Sequence, residues 1–366
     1  MIRASIRKDG GPPRYQQVIS MLKEKILAGE YPVGSKLPPE RELQEALGLS
    51  RMTINRAILE LADQGLVKRE VGKGTFVIRN SVPANHVRSL GVITPSHRSL
   101  LEQPFYWEVM EGIDGQVRVG DFRAVIAGKE EVLLQQPDLA AYFHEMGLAG
   151  VILMGQMRPE LLARLRDCPL PIVCLNFSGT EFGLDSVVID GERGGYLAAR
   201  HLLKLGHRRI GVILGPKENA NSQNIQRGFF SCLAKNRVAI EPDHILRGDY
   251  MMQDGFRCMM ALLDERPRPT AVFCASDMMA MGALNAARAL SVEVPGQLSL
   301  VGFDDCRLVA HAYPPLTTVR VDMQRLGATA VEMVARRLDG DVGPCQTQVI
   351  ATELVERASC APPRED

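Results

Sequence analysis

Leu49-Ser50-Arg51-Met52-Thr53-Ile54-Asn55-Arg56-Ala57 lays a short polar, basic face over an apolar helical stripe. Ser50 stands where a helix begins, because a serine hydroxyl accepts from one of the N–H groups that a first turn leaves unpaired. Gly48 just before it supplies a tight turn after a preceding helix. Ile54, Ile58 and Leu61 then recur at helical spacing and face a core. Arg51, Met52, Thr53, Asn55 and Arg56 are left for the outer surface and its flanks. This is the end of a helix from which base edges are read in the DNA major groove. The stretch alone also fits a solvated polar face, so its flanks decide between the two.

Upstream, Tyr15, Val18, Ile19, Leu22 and Ile26 form one apolar stripe ending at Gly29. Gly34, Pro38 and Pro39 then stop that helix and prepare the next at Glu40. Leu43, Ala46 and Leu47 give the second helix a narrow apolar face before Gly48. Downstream the recognition helix runs to about Gln64 and stops at Gly65. Residues 66–70 and 75–78 have the pattern of two strands joined through 71–74. Three helices and a hairpin make a winged helix-turn-helix over 14–79, after a disordered lead at 1–13 and before a linker at 80–88.

The segments Gly29-Glu30-Tyr31-Pro32-Val33-Gly34-Ser35-Lys36-Leu37-Pro38-Pro39-Glu40-Arg41-Glu42-Leu43, Leu47 to Thr53, Gly65-Leu66-Val67 and Gly72 to Val77 closely resemble the GntR-type DNA-binding domain. The resemblance implies that Arg41 holds phosphate or a base and that Arg51 reaches a guanine with two bonds. It also implies that Thr53, Gly72, Lys73 and Gly74 meet the backbone or the minor groove. Asn55 departs from the arginine common at its position. It can pair with an adenine edge but cannot anchor a phosphate by charge. Gly72-Lys73-Gly74-Thr75 lacks the spacing of a phosphate loop.

The bulk composition agrees with a basic head on a larger body. The 366 residues suit two or three domains, and 46% are hydrophobic. A net charge of zero hides 14 Lys/Arg against 9 Asp/Glu in residues 1–80 and 29 against 34 in the rest. Eight cysteines lie scattered without a C-x-x-C pair or zinc spacing, so they read as reduced core residues, and no metal or cofactor is expected. The start of the chain has no apolar secretion segment, and no stretch approaches a membrane span. The expected compartment is the cytoplasm.

From residue 89 on, short apolar runs at 90–94, 122–127, 150–154, 172–176, 186–190, 210–214, 271–275 and 299–303 alternate with helical stretches at 106–119, 192–205, 227–236, 278–290 and 323–338. Such alternation implies parallel sheets covered by helices, here two α/β lobes with a cleft at their carboxyl ends. Val188-Ile189-Asp190, Gly194-Gly195, His201 to Gly211, Gly248-Asp249-Tyr250, Ala275 to Ala283, Val301 to Asp305, Pro314 to Val319 and Glu353 to Ser359 resemble the effector domains of the LacI family, which look like periplasmic sugar-binding proteins. A GntR head on such a sensor resembles the arrangement of arabinose-type repressors. The likeness implies lobe one at 89–205 and 319–338, and lobe two at 206–318 and 339–359. The chain would then cross near 205–207, near 318 and after 338.

The same likeness implies cleft positions at Ser96, Phe105, Tyr106, Trp107, Asp190, Arg193, Tyr250, Asp277 and Asp304. Carboxylates accept sugar hydroxyls, and aromatic faces stack on sugar C–H surfaces. Asp277 also fits a helix cap, and the aromatic cluster also fits a core. Ile225 stands where relatives carry a ligand-gripping arginine. Either the ligand lacks the group that arginine holds, or Arg193 or Arg227 substitutes. The expected function is a ligand-responsive regulator, a repressor by resemblance, binding a palindromic double-stranded operator as a homodimer and sensing a carbohydrate-like effector. Against an enzyme, the sequence has no G-x-S-x-G, H-E-x-x-H, complete phosphate loop or G-x-G-x-x-G after a strand. A transport binding protein would carry a secretion signal and no basic head.

Overall fold

Helical spacing and wing chemistry in the first eighty residues produce the expected head. In the computed structural model the described residues are 14–27, 30–63, 66–70, 73–78, 88–95 and 103–364. The expected lead, all of the expected linker but Arg88, and Gly29, Gly65, Gly72 and Ser96 lie outside them. The chain divides into two units, Met1–Val87 and Arg88–Asp366.

In the head, α1 (Arg14–Leu27), α2 (Glu40–Leu47) and α3 (Arg51–Asp63) are followed by β1 (Val67–Glu70) and β2 (Gly74–Val77). The strands pair antiparallel from Val67↔Val77 to Glu70↔Gly74, and Lys36 adds a single bridge to Phe76. Gly48 closes α2 in the left-handed region at φ 64°, its N–H donating to Gln44 O. Val18, Leu22, Leu43, Ile54, Ile58, Leu61 and Leu66 fill the core. Each buried leucine or isoleucine contributes about 1.5–3 kcal/mol relative to exposure.

In the second unit one sheet has the order β13-β7-β6-β5-β3-β4 and is wholly parallel. Its strands are β3 (Arg88–Thr94), β4 (Phe122–Lys129), β5 (Leu148–Met154), β6 (Ile172–Leu175), β7 (Asp185–Ile189) and β13 (Thr347–Ile350). The other has the order β14-β12-β11-β10-β8-β9. It is built from β8 (Ile210–Leu214), β9 (Ile245–Arg247), β10 (Ala271–Cys274), β11 (Ser299–Asp304), β12 (Thr317–Val321) and β14 (Thr352–Val355). Only β14 runs antiparallel to its neighbour. The apolar runs of the sequence are these strands, because a parallel sheet covered on both faces has no polar side to show.

The helices are α4 (Pro104–Val119), α5 (Glu130–Gln135), α6 (Leu139–Glu145), α7 (Pro159–Leu165), α8 (Gly191–Lys204), α9 (Ala220–Lys235), α10 (Met252–Asp264), α11 (Asp277–Ala289) and α12 (Met323–Leu338). Three helix pairs approach closely through glycines on both partners. A Cβ on Gly112 would lie 2.0 Å from Gln324 O and one on Gly327 2.2 Å from Val109 O, joining α4 to α12. Gly195 and Gly228 serve α8 and α9 in the same way, and Gly255 and Gly282 serve α10 and α11.

The lobe crossings differ from the expected positions. Helix α8 packs on α9, β12 and β14, so the first crossing falls at Asp190 and not near 205–207. Helix α12 packs on α4, β5, β6 and β7, which moves the second to Asp322. Strands β13 and β14 lie in different sheets, which puts the third at Ala351 and not directly after 338. Strand and helix alternate in the same rhythm on both sides of a crossing. The apolar stripe of α8 therefore does not say which sheet it covers.

Candidate effector cleft and DNA-reading face

Between the two sheets, at the carboxyl ends of their strands, lies a narrow cleft. Tyr106 and Phe105 enter it from the first turn of α4, with Gln103 before them, and Asn176 follows β6. Lobe two supplies Asn219, Asn221 and Ile225 around α9, Tyr250 after β9, Ser276 and Asp277 at α11, and Phe303 and Asp304 from β11. Asn176, Tyr250 and Asp304 hold φ of 67°, 62° and 116°, a region that side chains rarely adopt. Three such residues converge on one cavity, as backbone strain does at ligand sites.

Polar groups here are held before any ligand arrives. Asn219 Oδ1 accepts from Ser222 N–H at 3.0 Å and from the Tyr250 hydroxyl at 3.1 Å. Asn221 Nδ2 donates across the cleft to Asn176 O at 2.6 Å and Oδ1 at 2.7 Å. Two further ties join the lobes. The Gln156 amide donates to Glu218 O and accepts from Ala220 N–H, while Arg307 bonds Glu111 through its side chain and Glu108 through its N–H.

The two carboxyls differ in role. Asp277 is buried at the start of α11, accepting from the Thr318 hydroxyl at 2.6 Å and the Cys306 N–H at 2.8 Å. Burial pushes its pKa up to about 7, against the pull of those two hydrogen bonds. The cap of the helix is Ser276, which accepts from Met279 N–H. Asp277 thus fastens the 304–306 turn to α11 and β12. Asp304 faces the cleft, and burial, then the Asp277 charge, hold its pKa well above the carboxylate range. Next to it, Asp305 is fixed by Arg320 at 2.7 Å and Arg357 at 2.6 Å.

On the head, Ser50 Oγ caps α3 by accepting from Thr53 N–H at 3.3 Å. Met52 is 83% exposed, and the exposed Arg51 side chain makes no hydrogen bond or ion pair among the described residues. Arg41 is exposed and pairs with Glu45 at 3.1 Å. Arg56 is exposed, with its guanidinium 3.9 Å above the Tyr15 ring, joining α3 to α1. Asn55 accepts from Arg69 of the wing at 3.0 Å. Lys73 sits 3.5 Å from Glu70, and Gly74, at φ 122°, leaves room for the Lys36 stem.

Comparison with known proteins agrees with both halves. Residues 14–77 match the model of bacterial regulatory proteins of the gntR family, and residues 199–360 match the periplasmic binding protein-like domain. The HTH-type transcriptional repressor PurR of Proteus mirabilis is 30% identical over 297 residues, covering 80% of this chain and 86% of that protein. The chain belongs to the LacI/PurR family of transcriptional repressors. A LacI family transcriptional regulator from Mycobacterium smegmatis is similar in structure, with a TM-score of 0.65 at 25% identity, over 75% of this chain and all of that one. The transcriptional regulator CelR in complex with cellobiose has a TM-score of 0.67 at 24% identity, over 95% of this chain and all of that one.

Within this LacI-family regulator, five of the ten expected effector contacts line the cleft: Phe105, Tyr106, Tyr250, Asp277 and Asp304. Four others do not. Trp107 is 56% exposed, one helical step around from Tyr106. Asp190 caps α8 by accepting from Arg193 N–H at 3.0 Å, so it serves the crossing. Arg193 reaches Thr352 O at 3.4 Å on the crossing surface, and Arg227 turns to Asn224 and Glu192. Neither arginine substitutes for the one relatives carry, and Ile225, 2% exposed, forms apolar wall in its place. Ser96 lies outside the described residues. Sequence reasoning missed the amides Gln103, Asn176, Asn219 and Asn221. Turn-flanking asparagines are the only hint the sequence offers.

Proposed function

We propose that the effector is a neutral, hydroxyl-bearing small molecule, a carbohydrate without phosphate or carboxylate, and that its binding changes the affinity of the gntR-family head for a palindromic operator. One observation carries this reading. Among the described residues the cleft is lined by amides, hydroxyls, aromatic rings and carboxyls, with no lysine, arginine or histidine. Among the described residues its wider mouth adds Glu130, Glu131, Glu218 and Asp249, and the one arginine, Arg158, already pairs with Glu130. Among the described residues an anionic ligand would find no countercharge in a site of low dielectric. Tyr106 and Tyr250 supply aromatic lining on which C–H surfaces can pack, and the amides donate and accept at once, as a hydroxyl does. The cellobiose bound to the CelR neighbour is in keeping with this chemistry.

The regulator works as a homodimer in the cytoplasm, where a palindromic site presents two equal half-sites to two heads. Effector and operator are linked by a coupling free energy of about 1–3 kcal/mol, felt equally by both ligands. Arg51, Thr53, Asn55, Arg41 and the wing residues Gly72, Lys73 and Gly74 supply the DNA contacts. Asp304, Tyr106, Tyr250 and the asparagines supply the effector contacts. The test is a thermal-shift screen of neutral mono- and disaccharides beside sugar phosphates and sugar acids, followed by gel shift on DNA from the chain's own promoter. Neutral sugars should raise the melting temperature and alter the shift. Stabilisation by the phosphates or acids alone would overturn the assignment.

A further inference from the structure

We propose that Arg69, on the wing strand, is a positioning residue that fixes the orientation of the Asn55 amide and thereby selects the base edge read by the recognition helix. The proposal rests on the reading of α3 as that helix. Asn55 follows Arg51 by four residues, so the two share one outer face one turn apart. Arg69 Nη1 donates to Asn55 Oδ1 at 3.0 Å, and Arg69 Nη2 lies 2.8 Å from Glu40 Oε1. A guanidinium has donors and no acceptor, so the Asn55 atom facing it must be the oxygen. The amide NH2 is then the group left for the operator. Glu40, at the first position of α2, holds the other arm of the fork with a side chain only 19% exposed, so the guanidinium is gripped from two helices.

An asparagine free to turn forms a two-bond pair with adenine, accepting from N6 and donating to N7. Arg69 takes one lone pair of the Asn55 oxygen and turns that oxygen toward the wing, which disfavours presenting oxygen and NH2 together to one adenine. The NH2 group matches an edge rich in acceptors, guanine through N7 and O6 or thymine through O4. The sequence alone points Asn55 at adenine; the wing contact redirects it to guanine or thymine. Arg69 and Glu40 act through Asn55 without reading a base themselves.

The full-length chain is used to select duplexes from a randomised pool. Affinities for the selected duplex, with each base substituted in turn, are then measured by fluorescence anisotropy. Wild type should prefer guanine or thymine over adenine, on the order of tenfold, at one pair of symmetry-related positions next to those that Arg51→Ala relaxes. Arg69→Ala should level or reverse that preference there and leave the other positions unchanged. Arg69→Met keeps the bulk of the stem on the strand and should do the same, which guards against an alanine variant that unfolds. Glu40→Gln keeps an acceptor for Arg69 and should retain the wild-type profile. A uniform loss of affinity in both Arg69 variants with an unchanged base profile would make Arg69 a phosphate contact and overturn the proposal. So would a wild-type preference for adenine. If Arg51→Ala leaves every base preference intact, the reading of α3 itself fails, and that outcome is distinct from either of these.

Discussion

Single residues divide here by what already holds them. Arg51 is exposed with its donors unspent among the described residues, as suits a group waiting for a base edge. Arg51→Ala is expected to cost about 1–3 kcal/mol at one base position and leave effector affinity unchanged, read by gel shift on substituted operators. Asp277, with both carboxyl oxygens engaged, has instead a thermodynamic signature. Its pKa is raised from the usual 3.8 to about 7, so the folded state binds the proton more tightly than the unfolded chain. The contribution is present below pH 4 and is lost as pH rises towards 7. His201 and His207, whose pKa values burial lowers, act in the opposite sense below about 6.5. The comparison with Asp277→Asn cancels the histidines and reads Asp277 together with its effect on Asp304, whose pKa the Asp277 charge also raises. Wild type should lose melting temperature relative to the variant between pH 4 and 7, and parallel curves would assign the slope elsewhere.

Elements show which expectations survive packing. The three head helices and the wing are local solutions, since each is bounded by its own Gly, Pro or Ser signals. Strands β9, β13 and β14 and helices α5, α6 and α7 escaped the sequence reading, because short or edge elements lack a long apolar period. The inner strand β12 and the 13-residue α10 were missed although neither is short for its kind. The glycine-mediated helix pairs yield a prediction at this scale. A Cβ on Gly228 would stand 1.7 Å from Glu192 O, so Gly228→Ala must force α9 away from α8. Overpacking of this kind costs about 1–3 kcal/mol, more than the roughly 1 kcal/mol that alanine gains over glycine in helix propensity. The melting temperature of the effector unit should fall and effector affinity with it, since Asn221 and Ile225 ride on α9. An unchanged melting curve would mean that the helices separate at no cost.

At the scale of the molecule the effector unit is a pair of lobes joined at three crossings and tied across the cleft. Asp190 and Asp322 each cap the helix that follows a crossing, accepting from Arg193 N–H and Arg325 N–H. Arg307 reaches from lobe two to Glu108 and Glu111 on α4, while Gln156 ties Glu218 and Ala220 at the other end. Arg307→Ala should weaken effector binding by favouring the open arrangement, with a larger deficit at low salt because the pair is exposed and screened. Titration calorimetry at two ionic strengths checks this. Equal affinity in wild type and variant would assign closure to Gln156 and the Asn176–Asn221 tie. The same shift of population must appear in DNA affinity, by reciprocity of linked binding.

By itself the sequence determined the head, the alternation of strand and helix, and the two-part plan of a regulator, because turn chemistry and apolar period act over a few residues. It also flagged Ile225, since a missing charge is visible wherever it sits. Tertiary structure alone decided where the chain crosses between lobes, that Asp190 and Arg193 serve a crossing and not the cleft, and that four amides line it. It also decided that Asn55 meets Arg69, 14 residues away. Each of these depends on which faces meet when distant strands come side by side, and local propensity carries no record of that.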